Sequence, residues 1–372
     1  MKFVCVIAEY NPLHLGHVRH LAASKSLGDA TLVVLGGDFC QRGFSAVLDK
    51  YTRAEEAVSA GADVVVELPT VYAVSCAEQF ARGAMRLVDL LPDSVLSFGS
   101  ECGDMSLLQA TASLLDDATV DAYVKASVSE GTAYPRARAE AIARFSREHN
   151  ISIADVTQPN NILALEYIRA AQRPHDYFTL RRTDDYHSDA PALSSGYVRK
   201  ALREGLPYAD LVPDCVRRDL ARATTAQDVL YLAALRAHSK ASFEDLLDNT
   251  EGLSNRIWQC AMEANTLDEA VDRAMTKRYT RARVARLFTA ALLDLRRGDL
   301  VEADAAPAYF NVLAVKKGRN DLISHLGRYA DVCTTQRELV GGTLTQRIDA
   351  RAHETYRLLH ATDVSHSVRV VE

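Results

Sequence analysis

The stretch Glu9-Tyr10-Asn11-Pro12-Leu13-His14-Leu15-Gly16-His17 follows the apolar run Phe3–Ala8 and opens a helical pattern that stops at Gly28. A short, wholly apolar run reads as a strand buried on both faces. The turn from such a strand into a helix is where a Rossmann-like fold points backbone N–H groups and a helix dipole at phosphate. Gly16 lets the backbone come close to a ligand. His14 and His17 lie three residues apart, on one face of the incipient helix. Two imidazoles placed there suit hydrogen bonding to phosphate oxygens and stabilisation of charge as pyrophosphate leaves. Satisfied core histidines, or zinc ligation together with His20, are the competing readings, and no nearby Cys favours zinc.

Outward from this stretch the pattern repeats. Thr31–Leu35, Val64–Leu68 and Val95–Phe98 are further apolar runs, each followed by Gly or Pro, with helical patterns over Thr52–Ala60 and Ala77–Leu91. Strands alternating with helices predict a parallel sheet covered on both faces, with ligands beyond the carboxyl ends of its strands. Residues of about 104–150 read as helix throughout, an insertion over the active-site edge. The alternation resumes with a helix near Ile162–Ala171, an apolar Tyr177–Leu180 and a helix over Gly196–Arg203, and Gly205-Leu206-Pro207 marks a boundary. The expectation is an α/β fold: a Rossmann-like parallel sheet of nucleotidyltransferase type in residues 1–205, then a mostly α-helical domain in 206–372.

The chain has 372 residues, enough for two domains, and 43 Lys plus Arg against 49 Asp plus Glu give a net charge of −6. A basic nucleic-acid binder is thereby excluded as a whole; any such surface is a local patch. No apolar run approaches a membrane span, and the N-terminus lacks the order of a signal peptide. The seven cysteines are scattered and never spaced C-x-x-C, which argues against a disulfide framework or a cysteine zinc site. A cytoplasmic protein with reduced thiols is expected.

A second constellation, Ser194-Ser195-Gly196-Tyr197-Val198-Arg199-Lys200, begins the last α/β helix. Ser194 or Ser195 can cap that helix, and Arg199 can reach a β- or γ-phosphate. With H-x-G-H it resembles the signatures of the H-x-G-H nucleotidyltransferase superfamily. An ordered series of stretches resembles one member family closely, the bacterial tRNA(Met) cytidine acetate ligases. They are Glu9–His17, Gly37–Gly43, Asp49–Ala54, Glu67–Pro69, Phe98–Glu101, Gln158–Ala164, Glu251–Arg256, Thr276–Thr280 and Lys316–Arg319.

The resemblance implies ATP-dependent acetylation, with acetate and Mg²⁺, of the wobble cytidine in the anticodon loop of elongator tRNA(Met), through acetyl adenylate. It implies catalysis by His14 and His17. It implies an ATP-binding loop of Ile7, Ala8, Glu9, Tyr10, Asn11, Pro12, Leu13, His14, Leu15, Gly16, His17, Val18, Arg19 and His20, with Gly99, Asn161 and Arg182 as further nucleotide contacts. Ser195 and Arg199 join them by position. Lys25 also matches the family pattern, although an exposed helix Lys needs no function. No protein metal site and no protein partner are expected.

Other readings stay open at several of these residues. Asn160-Asn161 can cap the following helix, Gly99 can be a turn alone, and Arg182 can pair with Asp184 or Asp185. Gln41, Arg42 and Arg53 lie on the ligand side as candidates for phosphate or RNA contact. The acid-free run Arg273–Leu287 reads as one amphipathic helix, with Lys277, Arg278 and Arg281 as a basic face for tRNA and Val284, Leu287 and Ala291 as the apolar stripe. Lys316, Lys317 and Arg319 form a smaller basic cluster. The sequence departs from the family pattern at Leu13, Leu15, Asp38 and Thr183–Ser188, which bears on acyl donor and RNA choice more than on ATP. A transferase acting on a small phosphorylated metabolite, or a tRNA-binding protein with a vestigial site, would be the rival functions.

Overall fold

The computed structural model describes residues 1–182, 193–249, 253–363 and 365–372. Thr183–Ser188 and Glu251-Gly252, singled out above, lie outside them. The strands are β1 (Phe3–Ala8), β2 (Ala30–Gly36), β3 (Val64–Leu68), β4 (Ser94–Ser100), β5 (Asp176–Arg181), β6 (Tyr309–Lys316), β7 (Asp331–Cys333) and β8 (Arg369–Val371). The first five are parallel in the order β5-β4-β1-β2-β3. β2 and β3 are buried along their whole length, as their unbroken apolar sequences require when helices cover both faces. The chain steps from β1 to β2 to β3 and then returns to place β4 on the other side of β1. This reversal opens a crevice at the carboxyl ends of β1 and β4, where α/β sheets hold their ligands. Both the H-x-G-H turn and Gly99 stand there.

Three helices, Met105–Leu114, Ala118–Ser129 and Tyr134–His149, fill the expected insertion. The last two form a hairpin with its own small core around Val120, Ile142 and Phe145. Arg138 anchors it to the helix Pro159–Ala170 through Glu166, at 2.5 Å.

The segment beyond 205 is mostly helical, with one correction to its separateness. Gly205 does end a helix in the left-handed region, at φ +67, but the sheet does not stop there. β6 lies antiparallel to β3, and β7 and β8 lie parallel to β6. One apolar cluster runs from Phe3 to Leu359.

A buried polar network fastens the two parts together. Lys50 and Glu67 pair at 2.8 Å, both essentially without solvent exposure. Asn311 of β6 donates to Glu67 at 2.6 Å, and His353 meets Asp38 at 2.7 Å. Thr70 N–H donates to Asp349 at 2.7 Å. Burial alone would raise the Asp38 carboxyl; His353 and Lys50 outweigh it and hold it well below the usual carboxylate range. Removing one partner of a buried pair strands the other charge, at about 3–5 kcal/mol. No helix among the described residues is long and apolar enough to cross a membrane.

Candidate active site

The turn after β1 is held in an unusual conformation. Tyr10 adopts φ +44 and the Asn11–Pro12 peptide bond is cis. Arg53 sets this turn from beneath. Fully buried, it donates to the carbonyls of Leu48, Glu9, Gly36 and Gly37 at 2.8, 2.6, 2.9 and 2.5 Å. This corrects its reading as a surface contact for phosphate or RNA. A guanidinium meets backbone acceptors in several directions at once, and here it joins the ends of β1 and β2.

The helix Leu15–Ser24 begins with a capping box built from two imidazoles. His14 Nδ1 accepts from Gly16 N–H at 3.0 Å, and His17 Nδ1 accepts from His14 N–H at 3.2 Å. The two rings stack with centroids 3.7 Å apart. Accepting through Nδ1 fixes both tautomers, so each ring has Nε2–H to donate. His20 is fixed by a relay. Ser24 donates its hydroxyl to the His20 carbonyl at 2.8 Å and therefore accepts from Ser97 at 2.7 Å, so Ser97 accepts from His20 Nε2–H at 2.8 Å. Burial, then Arg182, pushes His14 down to about 3 and His20 to about 4. His17 is lowered well below its ordinary value by burial and by His14, Arg182 and His20. At neutral pH these are uncharged donors, and an arriving anion favours their protonation.

The crevice opens into a cavity of about 750 Å³. Of the sequence-predicted residues, Ile7, Ala8, Glu9, Tyr10, Asn11, His17, His20, Gly99, Arg182, Ser195, Arg199 and Arg278 line it. His14 sits behind His17, while Leu13 is core and Arg19 faces solvent. Pro12, Leu15, Gly16 and Val18 also stand off the wall; the Pro12 carbonyl accepts from Ser195 Oγ at 2.9 Å. Arg199 reaches the Asn11 carbonyl, and Ser194 is the residue that caps its helix, accepting from Tyr197 N–H at 3.2 Å.

Asn161 does not line the cavity. Its Oδ1 accepts from Glu101 and Cys102 N–H at 3.0 and 3.2 Å, and its amide donates to the Asp155 carbonyl at 2.9 Å. Glu101 returns the contact by accepting from Asn160 and Asn161 N–H at 3.2 and 2.8 Å, at the positive end of the helix Pro159–Ala170. This exchange locks the loop after Gly99, and Asn160 rather than Asn161 reaches the wall.

The predicted basic helix is broken. Helices span Leu267–Ala274 and Arg281–Leu292, with a turn between them. The Thr276 hydroxyl accepts from Arg278 and Tyr279 N–H at 3.1 and 3.0 Å, and Thr280 caps the second helix. Hydroxyls that bond nearby backbone in this way compete with helix continuation. Lys277 and Arg278 are thus exposed turn residues, and Arg281 pairs with Asp268 and Asp272. Val284, Leu287 and Ala291 are buried as the stripe predicts.

The turn and second helix reach the cavity through Arg278, Arg283 and Arg286, the last paired with Asp248 at 2.8 Å. Gly43, at φ +83, allows the loop carrying Gln41 and Arg42 to dock there; a Cβ at this residue would lie 2.4 Å from that of Ala285. The insertion adds Tyr134 and Arg138, and Phe80, Phe98 and Tyr167 form an apolar wall. These contributors were missed, because only tertiary packing brings them together.

Fold and site define a nucleotidyltransferase of the H-x-G-H class. The HIGH Nucleotidyl Transferase family matches residues 1–369. The tRNA(Met) cytidine acetate ligase of Clostridium perfringens is 31% identical, with 89% of each chain covered. That of Caldanaerobacter subterraneus is 32% identical, covering 98% of this chain and 94% of its own. The crystal structure of Thermotoga maritima TmcAL bound with alpha-thio ATP matches with TM-score 0.87 and 25% identity over 100% of both chains. The chain belongs to the tRNA(Met) cytidine acetate ligase family, within the HIGH nucleotidyl transferases.

Proposed function

We propose that this protein uses ATP to convert acetate to acetyl adenylate and then acetylates the exocyclic amine of the wobble cytidine of elongator tRNA(Met), in the cytoplasm. The observation that carries the reading is the composite cavity. Its floor is the H-x-G-H turn and its rim is set with arginines from the C-terminal segment. The relatives' shared name and the nucleotide in the Thermotoga protein support the same reading.

ATP phosphates would lie against His17, His20, Arg182 and Arg199, with His14 donating from behind. The acetate carboxylate attacks the α-phosphorus, and pyrophosphate leaves against imidazole N–H and guanidinium donors. Mg²⁺ bound with ATP would supply further charge neutralisation through the phosphates. Arg278, Arg283 and Arg42 stand where the phosphates of an anticodon loop would approach. The second step needs no protein nucleophile, since adenylation has already made the acyl group reactive.

The test is transfer of radiolabelled acetate to unmodified bacterial tRNA with ATP and Mg²⁺ and no coenzyme A. Label recovered as acetylcytidine after nuclease digestion is the expected result. ATP binding with no labelled tRNA would overturn the reading and favour a small phosphorylated acceptor.

A further inference from the structure

The cavity wall holds the carboxylates Glu9, Glu78, Glu166 and Asp248. In a site proposed to bind two anions, ATP and acetate, an unneutralised carboxylate opposes binding unless it serves another purpose. Glu166 is paired with Arg138 and Arg169 at 2.5 and 2.9 Å, and Asp248 with Arg286 at 2.8 Å. Glu78 is exposed to solvent in the first turn of the helix Ala77–Val88, at the helix's positive end.

Glu9 remains. It is half-buried just past β1, and its carbonyl is held by Arg53. Its Oε1 accepts from Gln41 N–H at 2.6 Å. Among the described residues no Lys, Arg or His stands within ion-pair distance of its carboxylate, and Oε2 has no hydrogen-bond donor. The carboxylate is therefore fixed in direction, with one oxygen open on the wall shared with His17.

The second half of the proposed reaction needs a proton acceptor. The amine lone pair forms a C–N bond to the acetyl carbonyl carbon, the C–O bond to AMP breaks, AMP leaves with that electron pair, and one amine proton must depart. His14 and His17 already accept backbone N–H through Nδ1 and carry protons on Nε2, and His20 donates its Nε2 proton to Ser97. His14 and His17 are thus arranged as donors, and His20, with its Nε2 proton on Ser97, keeps only Nδ1 as an acceptor, made a weak base by burial and by Arg182.

Building on the acetylation reading, we infer that Glu9 is the catalytic residue that receives the cytosine amine. Its free oxygen accepts an N–H hydrogen bond from the amine, aims the nitrogen at the acetyl carbonyl, and takes the proton as the C–N bond forms. The proton then passes to solvent. Carboxylate recognition of the cytosine amine also disfavours uracil, which offers a carbonyl at that position.

The experiment compares the wild type with Glu9→Gln and Glu9→Asp in two assays: acetate-dependent exchange of pyrophosphate into ATP, and single-turnover acetyl transfer to tRNA. Glutamine keeps an acceptor for Gln41 N–H but takes up no proton. The expected result is that Glu9→Gln slows transfer by about 10²–10⁴-fold, the usual worth of a general base, and slows it at least 30-fold more than exchange. Glu9→Asp should restore part of the transfer rate. Equal loss of exchange and transfer would overturn the inference and place Glu9 in ATP activation. Transfer within threefold of wild type would also overturn it. Exchange without labelled tRNA in the wild type itself would instead fail the acetylation reading, and the inference with it.

Discussion

Replacing Arg53 with Lys tests whether the clamp beneath the H-x-G-H turn is structural. The guanidinium serves the carbonyls of Leu48, Glu9, Gly36 and Gly37, which approach it from different directions. A lysine ammonium is a single point at the end of a flexible stem and meets at most two of them. Hydrogen bonds from charged donors are worth about 1.5–3 kcal/mol each, so losing two or more should cost about 3–6 kcal/mol. The positive charge is kept, so nearby Asp38 is not stranded. Each kcal/mol lowers the melting temperature of a domain of 150–250 residues by about 2–4 °C, and of a longer chain by less, so a fall of roughly 5–10 °C is expected. The assay is thermal and urea unfolding beside ATP binding at two salt concentrations. A variant that melts within 1 °C of wild type, yet binds ATP more weakly with a changed salt dependence, would refute the clamp and return Arg53 to the phosphates.

Other outcomes follow from the same geometry. The three site histidines titrate below their ordinary 6.5 in the fold, so the unfolded chain binds their protons more readily. Stability should be complete above about pH 6.5 and fall below it, by up to roughly 1.4 kcal/mol per pH unit per histidine; urea titrations of wild type and His20→Gln between pH 4 and 7 would measure the slope, expected to be shallower in the variant. ATP should raise these values and be taken up with protons, a heat that calorimetry in buffers of different ionisation enthalpy detects. Arg278→Ala should weaken tRNA binding several-fold and reduce the salt slope by about one, while Arg281→Ala, whose guanidinium is already paired with Asp268 and Asp272, should change affinity less than twofold in filter binding. Gly43→Ala places a side chain at φ +83 against Ala285 and should cost about 2–4 kcal/mol in urea unfolding.

The parallel sheet was legible because its strands are short unbroken apolar runs bounded by Gly or Pro, and a strand buried on both faces has little other pattern to show. β6 has the same character, Tyr309-Phe310-Asn311-Val312-Leu313-Ala314-Val315-Lys316, yet it stands among helices, and no local signal told that its partner was β3. The H-x-G-H turn was readable because its chemistry is local: one strand end, one helix start, two imidazoles three residues apart. Arg53 misled because sequence position gave its side of the sheet but not its depth, and a buried arginine satisfied by carbonyls looks like any other basic residue. In the run Arg273–Leu287 the apolar stripe was right, but threonine hydroxyls at 276 and 280 outweighed the helical periodicity. Tyr134, Arg138 and Asp248 owe their place at the site to packing between distant segments, which no spacing encodes.

The pairing of Val64 with Val315 has a consequence for how the protein is made. At about 5–20 residues per second, β3 waits on the order of ten to fifty seconds on the ribosome before its edge partner is synthesised. During that interval an apolar strand edge stands open beside Glu67, Asp38 and Thr70, whose partners Asn311, His353 and Asp349 do not yet exist. The nascent chain is then a template for unwanted strand pairing and a natural client for chaperones. For the same reason, a fragment cut at residue 205 would inherit the ATP loop but not the edge that seals its sheet, and should be recovered as an aggregate rather than as a smaller enzyme.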